Sequence, residues 1–250
     1  MSVKVNISID CRAVLLDLDG VITDTRLAHT KAWKQAMDDF LKHWSNSNKK
    51  PFVEFSDSDY NNHVDGLPRI DGIRRFLGSR NIDIPIGATE DVSLTSVDSL
   101  SLVKNKLYLE ALQQEGAHIF EDARIFIEQI KKSKLYIGLV SSSKNAPYVL
   151  KSLNMDDVFD VIIDGNYIEQ LDISPKPSAE PFLEAARSLK VDFSQCVVVE
   201  DSYHTLKNTA TNGPLLAIGV DRTDGMALAS NFVPCPVVAK LTDVKLETLG

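Results

Sequence analysis

Five short apolar runs recur along the chain: Ala13–Leu16, Tyr136–Val140, Val161–Ile163, Cys196–Val199 and Leu215–Val220. Each is too short for an ordinary helix, and several are rich in β-branched residues, as buried parallel strands are. Amphipathic segments separate them. Glu121–Ser133 sets Ile125, Phe126, Ile127 and Ile130 mostly along one face, and Ala146–Leu153 follows the second run. Ser178–Leu189 carries a stripe of Pro181, Phe182, Ala185, Ala186 and Leu189 behind a Ser start. This alternation predicts an α/β fold, a doubly wound parallel sheet with helices on both faces.

The spacing of the runs is uneven. The first leads into Asp17, and the next does not begin until Tyr136. The intervening stretch contains an amphipathic helix over Leu27–Trp44, a polar segment Ser45–Lys50 and a Gly/Pro/Asp-rich segment Asp65–Gly72. Ile82–Ser99 shows no sustained period and reads as a loop, and a helical pattern covers Ser99–Gln114. We therefore expect a small α-helical domain at 27–117, inserted into a core made of 1–26 and 118–250.

Composition excludes several classes. With 27 Lys and Arg against 35 Asp and Glu, the net charge is −8, which argues against a surface that neutralises nucleic-acid phosphates. No apolar run approaches the ~20 residues that span a bilayer, and the first residues lack a signal-peptide pattern. The three cysteines, Cys11, Cys196 and Cys235, suggest no disulfide framework. The Asn6-Ile7-Ser8 sequon carries no weight without a secretory signal. The expectation is a cytoplasmic monomer acting on a small metabolite, with no nucleic-acid or membrane partner.

In a doubly wound sheet, chemistry sits at the carboxyl ends of the strands. Here those ends carry Asp17-Leu18-Asp19-Gly20, Ser141-Ser142-Ser143-Lys144 and Glu200-Asp201, and Pro175-Lys176-Pro177 precedes a helix. Asp17 and Asp19 on an extended backbone would point the same way, and Gly20 permits a sharp turn beneath a ligand. Carboxylates pressed together repel, so a proton or a cation must lie among them. With Glu200 and Asp201 at the same edge, four carboxylates are expected to converge, and an all-oxygen donor set suits Mg²⁺. Lys176 would neutralise both the carboxylates and a bound phosphate. Taken singly, each of these residues is ordinary turn or helix-cap chemistry; their order at successive strand ends points to one site.

At these residues the chain resembles the haloacid dehalogenase superfamily of phosphoryl-transfer enzymes, with its Rossmann-like core and helical cap. DLDGV at Asp17–Val21, Ser141, Lys176 and Glu200-Asp201 match its four motifs. Asp17–Thr25 followed by His29 and Ala32-Trp33-Lys34, and the segment Ser141–Leu150, are similar to the β-phosphoglucomutase-like branch. So are Gly66-Leu67-Pro68-Arg69 and Lys104-Asn105. The segment from Val64 to Arg80 and Gly219-Val220-Asp221-Arg222 also resemble a branch described only as hydrolases.

The resemblance implies a Mg²⁺-dependent phosphatase or phosphoglucomutase acting on a sugar phosphate. Asp17 would be the nucleophile that forms an aspartyl phosphate, and Asp19 the general acid and base. Mg²⁺ would be held by Asp17, the Asp19 carbonyl, Glu200 and Asp201. Ser141, Lys176, Gly20 and Asn145 would contact the transferred phosphate, with backbone amides after Asp17. His29, Arg69 and Lys104 would reach the substrate from the cap, which would act as a lid. His29 and Trp33 share a helical face, suiting either cap–core packing or a hinge contact.

One segment departs from the family pattern. Where a Gly is usual three residues beyond Ser202, this chain reads Tyr203-His204-Thr205-Leu206-Lys207-Asn208. Bulk there would alter how the helix packs behind the metal site, and His204 is read as exposed or capped. The competing reading is a catalytically weak or inactive descendant that keeps the fold as a binding or regulatory module.

Overall fold

The computed structural model describes residues 3–87, 93–222 and 235–247. Two compact units emerge, one made of Met1–Asp24 with Ala117–Gly250 and the other of Thr25–Gly116. The first opens with β1 (Val5–Ile7) and β2 (Ala13–Leu16). The second contains α1 (Arg26–Asn48), α2 (Asp57–Asp59), a π-helical turn (Tyr60–Val64), α3 (Arg69–Ser79) and α4 (Val97–Glu115). The chain then returns to the first unit through α5 (Glu121–Lys132), β3 (Tyr136–Val140), α6 (Ala146–Ser152), β4 (Val161–Ile163), α7 (Gly165–Gln170) and α8 (Glu180–Leu189). β5 (Cys196–Glu200), α9 (Tyr203–Ala210), β6 (Leu216–Val220), β7 (Val237–Val238) and β8 (Val244–Leu246) complete it.

The sheet unit is built on six parallel strands in the order β4-β3-β2-β5-β6-β7. β2 lies inside it, with Ala13 opposite Tyr136 on one side and Cys196 on the other. Its four residues are all fully buried, which is why an unbroken apolar run rather than an alternating one marks it. Leu15, Val140, Ile163 and Val198 pack against Phe182 and Ala185, from the stripe of α8. Burial of such side chains is worth roughly 1.5–3 kcal/mol each, and it holds the strand ends in register. A separate parallel pair joins β1 to β8.

The helical unit has its own core of Trp33, Met37, Phe40, Phe55, Phe76 and Leu100. α1 outruns the expected Trp44 end by a turn. The residues Ser45–Asn48 are polar because that turn faces solvent, and Lys49, with φ of 53°, closes the helix through its N–H on the Ser45 carbonyl. α3 begins at Arg69, inside the Gly/Pro/Asp-rich segment, because Pro68 supplies a rigid entry. The expected loop 82–99 ends early: Ser96 and Ser99 form a reciprocal capping box that starts α4 at Val97. Residues 88–92 of that loop lie outside the described residues. Among the described residues no helix is long and apolar enough to cross a membrane.

Candidate active site

The sheet order places β2 between β3 and β5, so its carboxyl end lies where successive crossovers leave the sheet in opposite directions, the usual position for a ligand crevice. Asp17 follows β2 directly, and its N–H donates to the Val199 carbonyl at 3.0 Å. Glu200 closes β5, and Asp201 follows it. Carboxylate oxygens of Asp17, Glu200 and Asp201 lie within 4.8 Å of one another. Asp17 and Glu200 are buried, at 7% and 1% exposure.

Lys176 enters this cluster from the loop between α7 and α8. Its ammonium donates to Asp17 Oδ1 at 2.5 Å and to Glu200 Oε2 at 2.8 Å. It also stands over the Phe182 ring at 5.0 Å. Burial works against the charged lysine, but Asp17 and Glu200 overcome it and raise its pKa. For Glu200, burial and then the neighbouring Asp17 push the carboxyl up to about 8, while Lys176 and the Ser202 N–H pull it down. Three carboxylates thus share a single ammonium, and hard oxygen donors in that number fit a divalent cation such as Mg²⁺.

Asp19 behaves differently from the expectation. Its carboxylate is not part of the converging group, which has three members and not four. The strand ends at Leu16, so the rule that residues two apart share a face no longer applies. The chain instead folds into a tight turn. Leu18 O accepts from the Ile22 and Thr23 N–H groups and from Thr23 Oγ1, and the Gly20 N–H donates to Thr23 O. Gly20 has a φ of +84°, a conformation that favours glycine, and Asp201 lies against its Cα. Asp19 remains at this turn, half-buried.

The phosphate-binding candidates on β3 are ordered by their own turn. Ser141 is 1% exposed. Its Oγ accepts the Ser143 N–H at 3.1 Å, and Ser143 Oγ accepts the Asn145 N–H at 3.1 Å. Asn145 stands at the start of α6. Gly165 backs this turn so closely that a β-carbon there would meet the Ser142 carbonyl oxygen at 2.6 Å and the Lys144 nitrogen at 2.9 Å. Nothing in the sequence reading singled out Gly165; its position directly after β4 and the N-cap Asp164 is the only local signal.

The unusual segment after Asp201 is accommodated. α9 starts at Tyr203, and Thr205 and Leu206 are fully buried. Thr205 Oγ1 lies 3.4 Å from Ser202 Oγ, and Asn208 donates to the Pro177 carbonyl at 3.0 Å, next to Lys176. The three carboxylates converge despite the added bulk. His204 is exposed and packs edgewise on Tyr203.

Within the helical unit, the three expected substrate contacts also gather. Lys104, 4% exposed, lies 5.0 Å from the Trp33 ring centroid and 4.7 Å from that of Tyr108, and shares a 3.0 Å hydrogen bond with His29 Nδ1. The His29 ring stacks on Tyr108 at 4.0 Å. Burial, then Lys104 and Arg69, hold the His29 pKa well below its usual value, so this imidazole is neutral at pH 7. Arg69 is thus close enough for its charge to act on His29, and burial lowers its own pKa to about 10. It stands at the first position of α3, the positive end of the helix dipole, where a cation costs stability unless an anion binds.

These features agree with what the chain is similar to. The model of the haloacid dehalogenase-like hydrolase family matches residues 11–207. A β-phosphoglucomutase of Mycobacterium bovis is 35% identical over 223 residues, covering 88% of this chain and 85% of that protein. The β-phosphoglucomutase of Bacillus subtilis is 29% identical over 241 residues, 95% of this chain and 93% of that one. Among solved structures, a β-phosphoglucomutase from Clostridium difficile shares the fold, with a TM-score of 0.71 at 24% identity over 92% of each chain. With that family match running from Cys11 to Lys207, across Asp17, Ser141, Lys176 and Glu200-Asp201, the chain belongs to the haloacid dehalogenase-like hydrolase family.

Proposed function

We propose that this chain catalyses divalent-metal-dependent phosphoryl transfer on a small sugar phosphate through an aspartyl phosphate on Asp17. The observation that carries the reading is the buried Lys176 shared by Asp17 and Glu200, beside Asp201. A structural protein has little use for three converging carboxylates, because each buried ion costs several kcal/mol that packing alone would not require.

Asp17 would attack phosphorus, with the Lys176 ammonium on its Oδ1 fixing the orientation of the carboxyl group. Lys176 and Ser141 then stabilise the equatorial oxygens as negative charge spreads over them. Asp19, outside the carboxylate cluster, would exchange a proton with the leaving and entering oxygens, a role worth about 10²–10⁴ in rate. Mg²⁺, when bound by Asp17, Glu200, Asp201 and the Asp19 carbonyl, supplies further neutralisation of the phosphoryl charge. Arg69 and Lys104, both acting on His29, would present two positive charges suited to a phosphate dianion that is not transferred. That arrangement favours a sugar phosphate over a simple phosphate ester, and within sugar phosphates it favours a mutase.

The test uses p-nitrophenyl phosphate with Mg²⁺. Turnover should vanish with excess EDTA, return with Mg²⁺, and be absent in Asp17→Asn, whose amide is a poor nucleophile. Protein trapped with substrate should carry its phosphoryl adduct on Asp17 by mass spectrometry. Wild-type turnover by Asp17→Asn would end the reading, and no turnover by the unmutated protein would leave the binding-module alternative.

A further inference from the structure

The motif Gly219-Val220-Asp221-Arg222 has no part in the reaction described so far. Arg222 follows β6, and its side chain is 17% exposed. Nε donates to the Gly20 carbonyl at 2.9 Å and Nη2 to the Val21 carbonyl at 2.8 Å. Nη1 meets both oxygens of Asp122 at 3.1 Å. The guanidinium lies 3.7 Å over the Phe120 ring. Every edge of the fork and one face therefore have partners. A lysine ammonium, a compact point charge, cannot reproduce that planar set.

The two carbonyls belong to the turn that carries Asp19. In that turn the Leu18 carbonyl already accepts three donors and the Gly20 N–H is spent on Thr23. The carbonyls of Gly20 and Val21 accept from Arg222 instead. In a trans peptide, N–H and C=O point in opposite directions. Gripping the Gly20 carbonyl therefore aims the Val21 N–H away from Arg222, and the same hold keeps Gly20 in its left-handed conformation against Asp201. Glycine at positive φ is the residue most prone to peptide rotation, so this turn needs an external hold. Asp122 fixes the far side of the guanidinium and accepts the Leu241 N–H at 2.7 Å. That bidentate pairing keeps Arg222 from being drawn onto an anionic substrate.

We propose that Arg222 is a positioning residue for phosphoryl transfer: through the carbonyls of Gly20 and Val21 it sets the turn that places Asp19 and seats Asp201 beside it. The inference rests on Asp17 and Asp19 carrying the reaction. It predicts a loss confined to the chemical step, because the guanidinium nitrogens are engaged by the Gly20 and Val21 carbonyls and by Asp122.

The experiment compares Arg222→Ala, Arg222→Lys and Asp17→Asn, each with p-nitrophenyl phosphate and saturating Mg²⁺, alongside melting temperatures. Arg222→Ala should lose about 10²-fold in kcat, the scale set by a small misplacement of catalytic groups. Its KM should stay within about threefold, since ground-state binding is untouched. Added ethylguanidinium should restore part of kcat in Arg222→Ala and none in Arg222→Lys, which keeps the charge but not the fork. Should Arg222→Ala fail to fold, Arg222→Lys carries the test alone, and must still lose most of its kcat. Arg222→Lys turning over at the wild-type rate would overturn the proposal. So would Arg222→Ala with a lowered melting temperature but unchanged kcat, the signature of a purely structural staple. Inactive Asp17→Asn beside a fully active Arg222 variant rejects this inference alone, whereas active Asp17→Asn rejects the reading beneath it.

Discussion

Gly20 and Asp201 approach so closely that a β-carbon on Gly20 would stand 2.0 Å from Asp201 Oδ2 and 2.8 Å from its Cγ. The turn after β2 and the turn after β5 thus share one space, with no room for a side chain between them. Gly20→Ala would rotate the Asp201 carboxylate away from Asp17 and Glu200, besides straining a residue at φ +84°. The expected outcome is a folded protein that needs more Mg²⁺ and loses about 10–100-fold in activity, the usual cost of disturbing ligand orientation. A Mg²⁺ titration of activity checks it; an unchanged titration curve in Gly20→Ala would contradict the assignment of Asp201.

Lys176→Met keeps the length and apolar stem of the side chain but removes the charge between Asp17 and Glu200. Removing one partner from a buried ion pair costs about 3–5 kcal/mol, so the melting temperature should fall and turnover should be lost. The lysine pKa is raised in the folded state, so its stabilising charge is present at every pH below its ordinary value and is lost only in strong alkali. A divalent cation should compensate in part. Mg²⁺ should raise the melting temperature of Lys176→Met more than that of the wild type, as read by differential scanning fluorimetry. Equal shifts in both proteins would show that the cation binds elsewhere.

His29 has a pKa held well below 6.5. In the unfolded chain it takes up a proton near 6.5, and in the folded chain it resists one. Its contribution to stability is therefore fully present above pH 6.5 and is lost as pH falls below it. Melting temperatures measured between pH 7.5 and 5.5 should decline less in His29→Gln than in the wild type. Parallel declines would mean that His29 is protonated in the folded state.

The proposed role of Arg69 and Lys104, holding a phosphate that is not transferred, separates the two forms of the reaction experimentally. Supplied with β-glucose 1-phosphate and a trace of glucose 1,6-bisphosphate, a mutase makes glucose 6-phosphate, and a phosphatase releases inorganic phosphate alone. Arg69→Ala and Lys104→Met should each weaken the sugar-phosphate reaction by about 10–100-fold, the worth of a charged hydrogen bond. Hydrolysis of p-nitrophenyl phosphate, which has no second phosphate, should hardly change. Equal loss on both substrates would assign these side chains to folding.

Much of the sheet unit can be read from the sequence because parallel strands buried on both faces are continuous apolar runs. β2, β3 and β4 coincide with the runs Ala13–Leu16, Tyr136–Val140 and Val161–Ile163. β1, β7 and β8, two or three residues long, are too short to carry a period. α3 is hidden by Gly72 and the preceding proline, and α9 by its Thr and Asn residues. At the site, Asp17, Lys176, Glu200 and Asp201 stand out because strand and helix ends announce them. Asp19 was placed by a strand rule that had stopped applying three residues earlier. The stacking of His29 on Tyr108, across α1 and α4, depends on which helix faces meet, and a single sequence leaves that open. Arg222 stands in a segment that the sequence singles out, but its contacts are hidden for the same reason: its carbonyl partners lie some two hundred residues away.

The pairing of β2 with strands far along the chain has a consequence for biosynthesis. Ala13 must wait for Tyr136 on one side and for Cys196 on the other. At about 5–20 residues per second, the ribosome needs roughly ten to forty seconds to deliver the second partner. Until Tyr136 is made both edges of an all-apolar strand stand open, and one stays open until Cys196 follows, the condition under which chains aggregate or engage chaperones. The helical unit, contiguous at Thr25–Gly116 with a core of its own, can close while β2 still waits. The strand that presents Asp17 is among the first made and among the last to be enclosed, so a truncated or stalled chain exposes the segment on which the proposed chemistry depends.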